Sequence, residues 1–168
     1  MCPWTAGFVS VEETMNVGVE IARQLEMAAT GAPWHGEPLS EVLDGIDLAV
    51  ATARPIAGAH TIWELVLHLI SIQRLVLARC SGERAPFVEE ESWSASGPAS
   101  PDEWCDACAC LLDGEEKTAA AARAFTEESL DAPVAKDSDR GVDLLLGHLQ
   151  HGLYHTGQIA LLRKAAEA

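Results

Sequence analysis

Apolar side chains along this chain recur at intervals of three and four residues, the spacing that lines one face of an α-helix, and they do so in four segments. The first runs from about Val11 to Thr30 with Val17, Ile21, Leu25 and Ala28 on one face, until Gly31, Pro33 and Gly36 stop it. The second opens at Thr61, followed three residues on by Glu64. That pair predicts a capping box, in which each side chain satisfies the other's orphan backbone donor. Ile62, Leu65, Leu69, Ile72, Leu75 and Val76 then trace an apolar stripe to about Arg79, before Gly82 and Pro86. The third starts near Pro101, with Ser100 as N-cap and Asp102 and Glu103 in the first turn, where the helix dipole favours acids. It continues through an alanine-rich run to about Phe125. The fourth extends from about Val142 to the C-terminus and carries Arg163 and Lys164 in its last turns, the sign the dipole prefers there.

Polar stretches separate these segments. The connection from Gly31 to His60 is too long to be idle loop, and Ser40 and Glu41 predict a short helix near Leu39–Leu43. Ser81 to Ser100, with Glu89, Glu90 and Glu91, reads as a crossover between helices, and Lys136 to Gly141 as a polar loop. No internal repeat and no sustained strand alternation is present. The expectation is a single all-α domain over residues 1–168, a four-helix bundle with long connections between helices 1-2 and 2-3.

Composition supports helix: Ala and Leu abound while aromatics are only 5%, and strands favour the latter. The balance of 11 basic against 26 acidic residues, a net charge of −15, repels phosphate backbones and anionic surfaces, so neither nucleic acid nor membrane is expected as a partner. No signal-peptide pattern opens the chain, and no apolar run approaches the roughly 18 residues of a membrane span. Cys2, Cys80, Cys105, Cys108 and Cys110 are odd in number and clustered, unlike a secreted disulfide framework. The expected location is cytoplasmic.

The histidines change the picture. GHLQHGLYH in the fourth segment places His148, His151 and His155 on one helix face. His151 and His155, at i and i+4, are close enough to converge on one ion, whereas His148 and His155 are separated by a rise of roughly 10 Å. One helix therefore offers two ligands, and a third must come from a neighbour. His68, in the middle of the second apolar stripe, is the natural candidate, because His60 and His35 lie at or outside helix ends. A lone histidine on an apolar face is more often a satisfied core residue, and spacing alone leaves metal binding and core packing both open. The pair is not H-E-x-x-H, so it carries no built-in general base of the zincin kind.

The stretches GAHTIWELVLHL and HLQHGLYHTGQIALLRKA resemble the two signature helices of the DinB-like (YfiT-like) superfamily of four-helix bundles, and PWHGEPLSEVL resembles the connection before the first. The first and third helices are generic. In that family a histidine of the second helix and the H-x-x-x-H pair of the fourth bind a divalent metal, commonly nickel or zinc. The resemblance assigns these positions to His68, His151 and His155 here, with no ligand role for His148 or His60. Relatives include bacillithiol S-transferases and mycothiol-dependent maleylpyruvate isomerase, so the resemblance implies a small-molecule substrate and a low-molecular-weight thiol as partner. It also implies a homodimer, for which the alanine-rich third helix offers a close-packing face. The family name says nothing about acting on DNA.

Three neutral imidazoles would leave an ion its full charge and an open position, the pattern of catalytic rather than structural zinc sites. Two functions follow: a metal-dependent transferase or hydrolase, or a non-catalytic metal-binding stress-response module. No general acid or base is evident, and the catalytic residues are unknown. Glu64 lies a turn before His68, but the capping box accounts for it. Tyr154 and Gln158 flank the pair; Trp34, Trp63 and Trp93 are candidate pocket walls, with core packing as the ordinary alternative. CDACAC lies within the third helix, where Cys105, Cys108 and Cys110 cannot form a zinc knuckle and no second CxxC exists.

Overall fold

The computed structural model describes residues 16–93, 100–136 and 138–168. The described residues are all-helical: α1 (Val17–Ala29), α2 (Leu39–Leu43), α3 (Leu48–Thr52), α4 (Ile62–Cys80), α5 (Glu89–Ser92), α6 (Pro101–Ala124), α7 (Glu127–Asp131) and α8 (Gly141–Ala166). They contain no strand, and the backbone pairing of Pro133 with Arg140 is an isolated bridge. The long helices close a ring of contacts, α1 on α6, α6 on α4, α4 on α8 and α8 on α1.

Local chemistry sets the boundaries. Thr61 Oγ1 accepts from Glu64 N at 3.1 Å while the Glu64 carboxylate accepts from Thr61 N at 2.8 Å, the expected capping box at the head of α4. Ser100 and Glu103 repeat the device on α6, with Pro101 at the first helical position. Gly82, at φ 83°, supplies the left-handed residue that terminates α4. The expected helix near Leu39–Leu43 is present as α2. The start of the first helix at Val11 lies outside the described residues; within them α1 begins after Asn16, whose side chain accepts from Val19 N. Three short helices were not expected: α3, α7 and, inside the expected crossover, α5. Asp47 caps α3, and Thr126 with Ser129 forms a capping box at the head of α7, but each of these helices has too few residues to show a period.

The core falls into two apolar clusters. One gathers Leu39, Val42, Trp63, Leu65, Val66, Leu69, Leu111, Ile159 and Leu162; the other gathers Ile21, Ala22, Leu25, Ala119, Ala122, Leu130 and Leu145. α4 touches both α6 and α8, so its buried surface is wider than one stripe. Val66, Ile70 and Gln73 are buried, while Ile72 and Leu75 of the expected stripe are only partly covered. On α1 the buried positions are Gly18, Ile21, Ala22, Leu25 and Ala29, and Val17 is 36% exposed. Small residues let α1 and α6 approach closely: a Cβ on Gly18 would stand 2.6 Å from the Ala122 carbonyl oxygen. The buried part of the alanine-rich run, Ala119 and Ala122, thus packs within the chain.

Candidate metal centre

His68 projects from the middle of α4, and His151 and His155 from successive turns of α8. The α4–α8 contact brings their rings together. His151 Nε2 stands 3.0 Å from His68 Nε2 and 3.0 Å from His155 Nε2. The three ligand atoms all lie within 4.8 Å of one another, and among the described residues this is a group that could hold a metal ion. His68 and His155 are buried and His151 is partly so.

The outer ring nitrogens explain the orientation. His68 Nδ1 donates to the Ser92 carbonyl at 3.1 Å, and His155 Nδ1 donates to Gln158 Oε1 at 2.6 Å. Each bond fixes a tautomer whose Nε2 carries a lone pair facing inward. Among the described residues His151 Nδ1 is buried without a partner. Two inward lone pairs therefore face one His151 Nε2, which has at most a single proton to share. Electrostatics keep the cluster neutral: burial, then repulsion from neighbouring imidazoles, lowers the His151 pKa to about 4. Burial likewise lowers His68 and His155 from the ordinary imidazole value. Neutral imidazoles with converging lone pairs are the donor set a divalent transition ion requires, so the residues fit such an ion.

The surroundings place the remaining candidates. Trp93 stacks on His68, with ring centroids 3.9 Å apart and planes 3° from parallel. Tyr154 is 64% exposed with its ring set edgewise to His155. Trp63 is a core residue, and Trp34, 96% exposed, lines a surface hollow with Met27, His35 and Leu153 to which none of the three histidines contributes. Glu64 serves the cap, binds Arg54 at 2.8 Å and accepts from His60 Nδ1 at 3.3 Å. Burial opposes its ionisation, but the Thr61 N–H, Arg54 and His60 outweigh that and hold its carboxyl below the usual range. A cleft of about 300 Å³, lined by Ile56, His60, Leu65, Gln158, Leu161 and Leu162, opens beside the cluster.

His148 is not part of the cluster. Its Nε2 lies 3.2 Å from the Glu115 carboxylate in the interior, and Glu115 in turn accepts from Gln73 Nε2 at 2.9 Å. Sequence reasoning missed Glu115 and Gln73 as partners; a glutamate and a glutamine at positions where α6 and α4 are otherwise apolar were the available signal. Cys105 and Cys110 are exposed, Cys80 and Cys108 half-buried, and none joins a metal-binding group among the described residues.

Comparison with known proteins adds one match. The family model described as the DinB superfamily matches residues 34–159, a span that contains all three histidines. No curated protein and no solved structure matches the chain.

Proposed function

Since the chain belongs to the DinB superfamily, we propose that it binds one divalent transition metal ion, zinc or nickel, through His68, His151 and His155, and uses it on a small molecule. The observation that carries this reading is the convergence of three Nε2 atoms whose outer nitrogens are, among the described residues, either tied back or buried unpartnered. A bound ion of this kind supplies Lewis acidity, lowering the pKa of a coordinated water or thiol. The chain's own groups do the rest. Ser92 and Gln158 orient two imidazoles, and burial keeps all three unprotonated at neutral pH. The cleft beside Gln158 and His60 is apolar on most of its wall and suits the hydrocarbon part of a substrate.

The reaction we favour is thiol S-transfer, or else hydrolysis, with a low-molecular-weight thiol as cosubstrate. The ring of α1, α6, α4 and α8 is read as a four-helix bundle in one domain, working in the cytoplasm as a homodimer. A second reading, a non-catalytic metal-binding module, draws on the partners of the cluster: among the described residues the outer nitrogens meet a carbonyl and an amide, not a carboxylate.

Elemental analysis of tag-free protein tests the central claim. About one equivalent of transition metal in the wild type, lost in His151→Ala, supports it. No bound metal and no uptake of added zinc or nickel would sink it. Turnover of a panel of thiols and electrophiles, with and without metal, then separates enzyme from module.

A further inference from the structure

Trp93 lies between two imidazoles. Its ring is 3.9 Å from His68 with planes at 3°, and 3.8 Å from His60 with planes at 9°. Two rings centred that closely over one indole cannot share a face, so His60, Trp93 and His68 form three parallel layers. The indole is also set at 79° to His155, centroids 6.2 Å apart. The preceding residue, Ser92, supplies the carbonyl that receives His68 Nδ1–H. Two consecutive residues therefore hold the imidazole: the hydrogen bond fixes its tautomer, and the stack fixes its plane. The outer layer is held in turn. His60 donates to Glu64, and Glu64 is locked into the cap of the helix that carries His68.

Stacking has a further effect on a ligand. An imidazole bonded to a divalent ion is electron-poor, and the face of an indole is the electron-rich side of its quadrupole. Attraction across the stack is then stronger in the metal-loaded state than in the metal-free one, and only such a difference raises affinity. We propose that Trp93, backed by His60, is a positioning residue of the metal centre that holds His68 in its ligating orientation and favours the loaded form. This inference rests on the metal-binding reading of the histidine cluster.

The test is Co²⁺ titration of the full chain, followed by visible absorption and tryptophan emission, in wild type, Trp93→Leu, Trp93→Phe and His60→Ala. Outer-sphere partners of metal-bound histidines are typically worth 10- to 100-fold in affinity, so Trp93→Leu is expected to weaken Co²⁺ binding by roughly that factor and to shift the d–d bands. Trp93→Phe, which keeps an aromatic face, recovers most of the loss, and His60→Ala shows a smaller weakening. In the wild type, Co²⁺ quenches an emission component that Trp93→Phe lacks; this arm stands even where Trp93→Leu fails to fold. Unchanged affinity and spectrum in folded Trp93→Leu overturn the proposal while leaving the metal centre intact. So does equal loss in Trp93→Phe and Trp93→Leu, or an identical quenched component in wild type and Trp93→Phe. Failure of the wild type to bind Co²⁺ overturns both readings.

Discussion

His148 and Glu115 meet 3.2 Å apart in the interior, one helical turn of α8 away from His151, and Gln73 completes the group from α4. The three side chains link α4, α6 and α8 by polar contacts, separate from the histidine cluster that joins α4 to α8. A cavity of about 20 Å³ touches Glu115 and His148 together with Leu25 of one apolar cluster and Leu69 of the other, which places the pair where the two cores adjoin.

Replacing Glu115 with leucine is expected to destabilise the metal-free protein by about 2–4 kcal/mol, because His148 and Gln73 would each lose a buried partner. Urea denaturation measures it. A change below about 0.5 kcal/mol, the scale of an ordinary surface substitution, would show that the pair contributes little.

Gly114 sits against the same network. A Cβ there would land 1.6 Å from Gln73 Oε1, so Gly114→Ala must drive the amide out of its bonds to Leu111 O and Glu115. The expected loss is about 2–4 kcal/mol, against a helix-propensity gain of about 1 kcal/mol in the other direction. If the variant melts at or above the wild-type temperature, the close approach is not a constraint.

Zinc at a hundred times its dissociation constant is expected to stabilise the wild type by about 2.7 kcal/mol, through mass action on the folded state alone. His155→Ala and His68→Ala should show no comparable rise in melting temperature. Equal stabilisation of wild type and both variants would place the bound zinc elsewhere.

Burial pushes the Cys80 thiol up to about 11, and burial with the neighbouring Cys105 does the same for Cys108. A raised thiol pKa means the folded state holds its proton longer than the unfolded chain. The associated stability is present below pH 9 and is lost as pH rises through 11. Alkylation by iodoacetamide, which consumes the thiolate, should therefore label exposed Cys105 and Cys110 first at pH 8, with Cys80 and Cys108 reacting only as the solution becomes strongly alkaline. Mass spectrometry of the labelled peptides follows the order, and prompt labelling of Cys108 at pH 8 would contradict it.

Much of the helical layout was legible because it is written in local chemistry. The Thr61–Glu64 and Ser100–Glu103 boxes mark the heads of α4 and α6 by residue type alone. The juxtaposition of His151 and His155 follows from helix period, and His68 joins them because α4 and α8 are neighbours. Tertiary partners were not legible. That Ser92 would present its carbonyl to His68, or Glu115 its carboxylate to His148, depends on how separate segments pack, and no spacing encodes it. The extent of burial on α4 escaped for the same reason: a helix with two neighbours buries more than its most periodic stripe, as Val66 and Gln73 show.

The pairing of His68 with His151 spans 83 residues of chain, a segment that includes all of α6 and α7. An ion held between them would act as a reversible cross-link across a loop whose closure entropy helix packing has already met, so it would tighten the seam rather than close the chain. The rigidity of the α4–α8 seam would then follow the supply of metal, loosening under chelation while α1 and α6, joined by apolar packing through Ile21, Ala22 and Ala119, stay docked.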